Sequence, residues 1–260
     1  MPTALVTGAT AGIGAAFSRR LASEHYDLVL VARDTKRLQV FADELSGQHG
    51  ITTEVLVADL ADDAPDGGCA SVEKRLAGGG IDLLVNNAGF TTHAPFDDGD
   101  VEDEDRMLRV NVRAVLRLAH AAVAVMLPGG GGIINVSSVA GFFPTAGGAT
   151  YAASKAYVTA LSEALASEYT DRGVVVTALC PGFTRTEFHQ RAGIATEGIT
   201  DRLWLDADTL VDGALADHRA KRAISVPGWQ YKVLTEVGRM TPRPLLSAAS
   251  RVVKARRGRH

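Results

Sequence analysis

The chain has 260 residues, of which 46% are hydrophobic and 22% are charged, an ordinary balance for a globular protein. Its formal net charge of −3 argues against a nucleic-acid partner, because no global basic field is present. Two cysteines without CxxC spacing argue against a disulfide framework and a zinc site, so we expect no metal. The chain opens on a strand-like run and has no apolar stretch long enough to span a bilayer, which predicts a cytoplasmic protein.

Short β-branched runs alternate with helical patterns along most of the chain. The runs are mostly apolar throughout, which is typical of parallel strands covered on both faces. We predict strands at Ala4–Val6, Leu28–Ala32, Thr53–Val57, Ile81–Val85, Gly132–Val136, Val174–Leu179 and Ala223–Val226. Helices are predicted from Gly12, through Leu38, Phe41 and Leu45, from Asp103 to about Met126, through "YAASKAYVTALSEAL" and over Asp208–Arg219. The alternation predicts one α/β domain over residues 1–260, with a parallel sheet and right-handed crossovers.

Two segments interrupt this alternation. Residues 187–205 form a long insertion without a clear strand, and the tail from about 228 to 260 ends in the basic stretch "RVVKARRGRH". The tail carries Trp229 and Tyr231 beside its basic residues, so it could lie on an anionic membrane. Helix capping, a subunit contact or a disordered end is the favoured explanation.

A glycine-rich turn follows the first strand, in "ALVTGATAGIG". Gly8, Gly12 and Gly14 permit a tight turn, close approach of backbone N–H groups to a phosphate, and close packing of the helix on the strand. The helix N-terminus then adds partial positive charge for a pyrophosphate. The spacing differs from GxGxxG, but its place in the first strand–helix unit predicts dinucleotide binding.

The end of the second strand, "LVLVAR", indicates which dinucleotide is bound. An acidic residue there would bind the ribose hydroxyls of NAD, whereas this chain has Arg33, with Lys36 and Arg37 one turn later. A guanidinium suits a 2′-phosphate dianion, so we predict NADP(H). The acidic Asp34 beside Arg33 weakens this pattern, and Arg33 could instead begin a solvent-exposed helix. NAD(H) therefore remains the alternative.

A tyrosine and a lysine lie four residues apart in "YAASK". On a helix this spacing places Tyr151 and Lys155 on one face. Taken alone, the pair is explained equally well by an amphipathic helix whose tyrosine covers the core and whose lysine reaches solvent.

Seven motifs occur in order along the chain: Thr7-Gly8-x-x-x-Gly12-x-Gly14, Asp59, "NNAG" at Asn86–Gly89, Asn111, "NVSS" at Asn135–Ser138, Tyr151-x-x-x-Lys155 and Pro181-Gly182. By these motifs the chain resembles the short-chain dehydrogenases/reductases. The resemblance covers roughly residues 3 to 186. It implies a Rossmann-like, doubly wound, seven-stranded sheet and nicotinamide-dependent carbonyl or alcohol chemistry.

The resemblance also implies catalytic roles. Tyr151 would exchange a proton with the substrate oxygen, its pKa lowered from about 10 by Lys155 and by the oxidised nicotinamide. Ser138, favoured over its neighbour Ser137, would bind the same oxygen. Asn111 would hold a water that relays protons from Lys155, unless it is merely a buried asparagine bonded to backbone.

Cofactor-binding residues follow from the same motifs. Lys155 would hold the nicotinamide ribose, and Asp59 would accept from the adenine amino group, although it could instead cap the next helix. Asn86 looks structural. Thr184 replaces the valine that is usual after Pro-Gly in the family, so the family's nicotinamide contact does not carry over directly to this residue. The full predicted set is Thr7, Gly8, Gly12, Ile13, Gly14, Arg33, Asp59, Asn87, Ala88, Gly89, Tyr151, Lys155, Pro181, Gly182, Thr184 and Thr186.

The substrate pocket is predicted to form from the loops after "NNAG", between Ser138 and Tyr151, and from the insertion. Val139, Phe143 and Phe188 suggest an apolar pocket for a hydrophobic ketone or secondary alcohol, and His93 could orient a polar substituent. Some of these aromatics could instead pack in the core. We therefore predict an NADP(H)-dependent carbonyl reductase acting as a homodimer or homotetramer. An NAD-dependent alcohol dehydrogenase and a catalytically silent nucleotide-binding regulator are the alternatives.

Overall fold

The sheet of this protein is parallel and has seven strands, in the order β3-β2-β1-β4-β5-β6-β7. The structure is a computed structural model that describes residues 1–65, 67–92, 96–143, 148–188 and 200–241. The strands are β1 (Thr3–Thr7), β2 (Asp27–Ala32), β3 (Thr53–Val57), β4 (Leu83–Asn86), β5 (Gly131–Val136), β6 (Val174–Leu179) and β7 (Ile224–Ser225). This architecture confirms the predicted α/β, Rossmann-like, doubly wound fold.

Helices cover both faces of the sheet. They are α1 (Gly12–Ser23), α2 (Thr35–His49), α3 (Gly68–Ala77), α4 (Val101–Leu108), α5 (Val115–Met126), α6 (Ala149–Tyr169), α7 (Ala207–Arg219) and α8 (Trp229–Met240). A π-helical segment, Arg109–Ala114, joins α4 to α5, and short 3-10 turns lie at Val139–Phe142, Thr170–Arg172 and Asp201–Leu203.

Two apolar layers enclose the sheet. Successive residues of β1 face opposite layers, since Ala4 and Val6 belong to the layer of α1, α2 and α7, while Leu5 belongs to the layer of α3 and α5. Phe17 on α1 and Leu118 on α5 are fully buried in these layers. Burying such a side chain stabilises the fold by about 1.5–3 kcal/mol, which explains why the strands read as continuous apolar runs.

The strand order reverses between β1 and β4, both of which pair in parallel with their neighbours. In a doubly wound sheet this reversal leaves a crevice at the carboxyl ends of the strands, where ligands bind. The glycine turn after β1 and the "NNAG" segment after β4 therefore meet at one edge.

The bounds of β3 and β6 match the prediction, and those of the other five strands differ from it by one or two residues. β4 begins two residues late and includes Asn86, which pairs with Asn135 of β5. β7 has only two residues because its pairing with β6 covers only two positions, and Pro227, which lacks an N–H, follows soon after. β3 is an edge strand, so Glu54 is exposed and the strand is not covered on both sides.

Two of the helices listed above were not predicted. The pattern of α3, with Cys69, Val72 and Leu76 buried, has the helical spacing that would have indicated it. The second, α8, lies in the segment that was predicted only as an irregular basic tail. The long helix predicted from Asp103 begins at Val101, capped by Asp100, and contains the π-helical segment.

Gly14 is where α1 packs closest to the turn after β1. A Cβ at this position would lie 2.2 Å from the carbonyl oxygen of Gly8 and 2.4 Å from Nδ2 of Asn87. Gly47 on α2 is the control position, because it is exposed and a Cβ there would have no atom within 4 Å.

We expect Gly14→Ala to lower the free energy of unfolding by about 1–3 kcal/mol, because the methyl group overlaps backbone that must move. Gly47→Ala is expected to raise it by roughly 0.5–1 kcal/mol, since alanine is the better helix former. Urea denaturation of both variants measures the two effects, and a neutral Gly14→Ala would contradict the packing described.

His218 of α7 is a partly buried imidazole between β5 and β6. Its Nδ1 lies 2.9 Å from the Thr177 hydroxyl, which itself donates to the Arg222 carbonyl, so Nδ1 carries the proton. A Cβ at Gly132 would lie 2.4 Å from Nε2. Burial, helped by the Arg219 charge, lowers the pKa of His218 from 6.5 to about 4.

Between pH 6.5 and 4 the unfolded chain therefore binds a proton that the folded chain does not. The stability is fully present above pH 6.5, and we expect it to fall by up to about 1.4 kcal/mol per pH unit as the pH drops through this window. In urea titrations across pH, His218→Asn should lose this dependence, whereas His25→Asn, at an exposed position, should keep it. Equal slopes in all three proteins would rule out His218 as the cause.

Candidate active site

The turn after β1 presents an uncapped helix end at the crevice. Gly8 and Gly12 have positive φ values of 65° and 51°, a conformation that favours glycine. Ala11, the N-cap of α1, offers no side-chain bond, and the first turn, which includes Ile13, has no acidic residue. A phosphate group would satisfy these N–H groups and the helix dipole, so the residues fit a dinucleotide.

Thr7 and Asn87 clamp β1 to the segment after β4. The Thr7 hydroxyl accepts from the N–H groups of Asn87 and Ala88, each at 3.0 Å. In return, Nδ2 of Asn87 donates to the carbonyls of Thr7 and Gly8, at 2.9 and 3.2 Å. These two predicted cofactor residues thus also fix the width of the crevice.

Asn86 is structural, as predicted. Its Nδ2 donates to Oδ1 of Asn135 at 2.9 Å, and Nδ2 of Asn135 donates to the Ser162 hydroxyl at 2.9 Å. This buried chain ties β4, β5 and α6 together behind the crevice.

Arg33 lies at the end of β2 with its side chain 65% exposed. Its Nη1 is 4.0 Å from Oδ2 of Asp59, and the same carboxylate oxygen accepts from Arg106 at 2.7 Å. Burial alone would raise the pKa of Asp59, but the Ala61 N–H, Arg106 and Arg33 together lower it. Asp59 does not cap α3, whose N-cap is Gly67, so that alternative was wrong.

Arg37, one turn after Arg33, is held by a carboxylate from the far side of the cleft. Its two terminal nitrogens bond both oxygens of Glu187, at 2.7 and 3.3 Å. The pair raises the pKa of Arg37. Of these two arginines, Arg33 has the weaker carboxylate contact and is the more exposed.

Lys155 is buried, 5% exposed, below the end of β5. Its ammonium donates to the Val136 carbonyl at 2.9 Å and lies 5.7 Å from the centroid of the Tyr151 ring. Burial lowers the pKa of Lys155 from 10.5 to about 8. The spacing in "YAASK" therefore does place both side chains on one face of α6, and the explanation that the lysine reaches solvent was wrong.

Tyr151 shares a side-chain hydrogen bond with Ser138, the last residue before the 3-10 turn. Burial raises the pKa of the Tyr151 phenol from 10 to about 12, and the Ser138 bond only partly offsets this. The expected lowering is not found in the protein alone, because desolvation of the phenolate outweighs the Ser138 hydrogen bond and Lys155 adds no lowering of its own.

Ser137 and Ser138 have different surroundings. Ser137 is buried and its hydroxyl donates to the Lys155 carbonyl at 2.7 Å, next to Thr159. Ser138 accepts from the Ala140 N–H at 3.1 Å and is the serine bonded to Tyr151. Ser137 thus fixes β5 against α6, while Ser138 faces the phenol.

Asn111 lies in the π-helical segment between α4 and α5, an irregularity that is often found at functional sites. Its side chain bonds both backbone groups of Phe90, accepting at 3.1 Å and donating at 2.8 Å. This is the backbone-bonded arrangement that the sequence left open. A Cβ at Gly89 would lie 3.1 Å from Oδ1 of Asn111 and 3.4 Å from Nζ of Lys155, so all three residues meet.

The loop after β6 lies between α1 and α8. Pro181 is buried, and its carbonyl accepts from the Val139 N–H at 3.0 Å. A Cβ at Gly182 would lie 2.1 Å from the ring of Tyr231, a residue of α8 that the motifs do not indicate. The Tyr231 hydroxyl accepts from the Phe183 N–H and donates to the Leu203 carbonyl.

Thr184 and Thr186 have distinct positions in this loop. Thr184 is buried, donates to the Gly182 carbonyl at 3.1 Å and bridges to Leu205, so its hydroxyl is used within the loop. The Thr186 side chain lies 3.1 Å from where a Cβ at Gly12 would be. Thr186 is therefore the threonine placed beside the glycine turn.

The predicted substrate residues are divided among different surroundings. The Phe188 ring lies 6.1 Å from that of Tyr151. Val139 packs on the small core around Cys180, and Phe143 is the ring that a Cβ at Gly238 would meet at 2.5 Å. His93, like residues 189–199 of the insertion, lies outside the described residues.

Comparisons with known proteins give a consistent result. The model of the short chain dehydrogenase family matches residues 2–196. The very-long-chain 3-oxoacyl-CoA reductase of Anas platyrhynchos is 30% identical over 260 residues, covering 97% of this chain and 81% of that protein.

Two solved structures are similar throughout. A short-chain dehydrogenase from Sphingobium yanoikuyae in complex with NADPH is 37% identical, covers 91% of this chain and 93% of its own, and has a TM-score of 0.84. A bulky-bulky ketone specific alcohol dehydrogenase from Comamonas testosteroni is 34% identical, covers 91% and 92%, and has a TM-score of 0.80. The fold, the ordered motifs and these matches establish that the chain belongs to the short-chain dehydrogenase family of oxidoreductases.

Proposed function

We propose that this oxidoreductase uses NADP(H) to reduce a bulky, apolar ketone to a secondary alcohol. The observation that carries the proposal is the Tyr151 phenol, bonded to Ser138 and backed by the buried ammonium of Lys155, at the edge where the glycine turn lies. This arrangement can hold a carbonyl oxygen and deliver a proton to it.

Arg33 supports NADP(H) over NAD(H). It is the exposed cation at the end of β2, and it has no carboxylate closer than the 4.0 Å contact with Asp59 among the described residues. A 2′-phosphate would replace this weak contact with charge-assisted bonds. The related Sphingobium structure contains NADPH. Lys155 would hold the nicotinamide ribose, and the uncapped start of α1 would hold the pyrophosphate.

The bound cofactor would supply hydride to the carbonyl carbon. Ser138 would donate a hydrogen bond to the carbonyl oxygen and Tyr151 would protonate it. A phenol with a pKa of about 12 stays protonated at neutral pH, which suits the reductive direction. The Lys155 ammonium, 5.7 Å from the ring centroid, would stabilise the phenolate that forms.

Asn111 would connect this site to solvent. In a π-helical segment the hydrogen-bond pattern shifts, so a backbone carbonyl can be left for water. With its side chain committed to Phe90, Asn111 would act through its own backbone and hold a water beside Lys155. The proton lost by Tyr151 would be replaced along this route.

An aromatic ring beside the phenol supports a hydrophobic substrate, since Phe188 contacts the Tyr151 ring. The Comamonas relative is a bulky-bulky ketone specific alcohol dehydrogenase, and the Anas relative is a very-long-chain 3-oxoacyl-CoA reductase. We also expect a homodimer or homotetramer, with the exposed Leu116 of α5 and Tyr157 of α6 in a subunit contact.

Tyr151→Phe tests the proton donor. We expect the rate of NADPH-dependent reduction of an aryl alkyl ketone to fall by roughly 10²–10⁴-fold, because the proton source is removed. NADPH affinity, measured by fluorescence titration, should stay within about threefold, since the ring itself is retained. Tyr169→Phe, at the far end of the same helix, serves as the control. Retained turnover in Tyr151→Phe would remove this residue from the proposed role.

Arg33→Asp tests the cofactor choice. We expect the wild-type protein to bind NADPH about tenfold or more tightly than NADH, a difference of about 1.4 kcal/mol, and the variant to reverse this preference. Lys36→Asp makes the same charge change one turn later and should leave the preference in place. If Arg33→Asp leaves the preference unchanged, Lys36 or Arg37 carries the selection. If the wild-type protein prefers NADH, alcohol oxidation becomes the reaction to assay.

A further inference from the structure

The last described helix, α8, presents an apolar face to solvent. Five large residues form this face: Trp229 is 78% exposed, Val233 56%, Leu234 45%, Val237 56% and Met240 83%. Trp229, Val233, Val237 and Met240 are spaced four, four and three residues apart, which aligns them on one side of the helix. The exposed Glu236, three residues after Val233 and four before Met240, borders this stripe. An exposed apolar stripe of this kind indicates a contact surface.

The orientation of α8 is fixed by its opposite side. Tyr231, Thr235 and Gly238 are buried. Tyr231 covers Gly182 and its hydroxyl bonds the loop on either side, while Gly238 admits the Phe143 ring at a distance that a Cβ would obstruct. Because this inner side is already packed, the outer apolar face cannot be buried by rotating the helix.

Positive charge is concentrated directly after this face. Residues 242–260 contain six basic residues and no aspartate or glutamate: Arg243, Arg251, Lys254, Arg256, Arg257 and Arg259. The remaining 241 residues carry 21 basic and 30 acidic residues, a formal charge of −9. A basic segment of an otherwise acidic protein thus follows directly after its exposed apolar helix.

We propose that the apolar face of α8 lies on an anionic lipid surface, with the basic residues after Pro242 attracted to the headgroups. Two contributions stabilise such binding: apolar side chains are buried in the lipid interface, and cations are attracted to anionic headgroups. A second copy lacks this charge complementarity, since its α8 is followed by the same six basic residues. No helix among the described residues is long and apolar enough to cross a bilayer, so the contact is with the surface.

From the sequence alone, membrane contact was the less favoured explanation of the tail. The sequence pattern could not say which side of the helix is covered. The contact would also place lipid beside the substrate loops, because α8 packs directly on Phe143 and Gly182. The surface contact itself does not depend on the proposed reaction.

The experiment is co-sedimentation of the full chain with vesicles, without cofactor or substrate. We expect binding to vesicles of phosphatidylcholine with phosphatidylglycerol, because the six basic residues outnumber the exposed Glu236 of α8, and about tenfold weaker binding to phosphatidylcholine alone or at high salt. A Trp204→Phe variant leaves Trp229 as the one tryptophan, and its emission should shift to the blue on binding.

Two variants separate the face from general effects. Val237→Glu should weaken binding to the anionic vesicles by about tenfold, since it places a charge in the interface. Val40→Glu makes the same change at an exposed valine of α2, 69% exposed, and should bind as the wild type does. Removing residues 242–260 should abolish the preference for anionic lipid.

Other results would overturn the proposal. A wild-type protein that never sediments, or a Val237→Glu variant that sediments normally, would exclude the face as a lipid contact. If Val237→Glu instead converts a dimer to a monomer in sedimentation velocity without lipid, the face is an interface between copies. Ketone reduction by the same preparation, measured separately, shows whether a failure concerns only this surface or also the proposed function.

Discussion

The buried ammonium of Lys155 is the interaction on which the site depends. A charge taken out of water is costly unless polar groups replace its hydration. Here the Val136 carbonyl accepts from it at 2.9 Å and the Tyr151 ring lies against it. Burial still lowers its pKa to about 8, so at neutral pH it remains mostly charged. The end of β5 and the start of α6 must therefore be held in register, and Ser137 does this by bonding the Lys155 carbonyl.

The cofactor half of the site is held by backbone and small side chains. Thr7 and Asn87 exchange hydrogen bonds across the crevice, and Gly14 allows α1 to approach the turn. The last described helix completes this half from the far end of the chain, because Tyr231 bonds both sides of the loop that contains Gly182. Residues more than two hundred positions apart thus determine the shape of one cleft.

Charge is distributed unevenly around this cleft. Asp59 is shared between Arg106 and, more distantly, Arg33, while Arg37 is paired with Glu187 across the opening. These pairs are substantially exposed, so each contributes little to stability. They hold Arg37 and Arg106 against carboxylates and leave Arg33, with its longer contact, the more exposed cation. The basic segment after α8 lies apart from this set in sequence and has no acidic residues of its own.

The sequence by itself determined the parallel sheet, the seven strands to within two residues at each end, and the family, because apolar periodicity and ordered motifs are local properties. It also indicated Tyr151, Lys155 and the glycine turn, whose spacing has a direct chemical reason. Only the tertiary structure decided that Ser138 rather than Ser137 faces the phenol, that burial raises the Tyr151 pKa, and that α8 shows an apolar side to solvent. These outcomes depend on desolvation and on contacts between segments distant in the chain, neither of which a local pattern records.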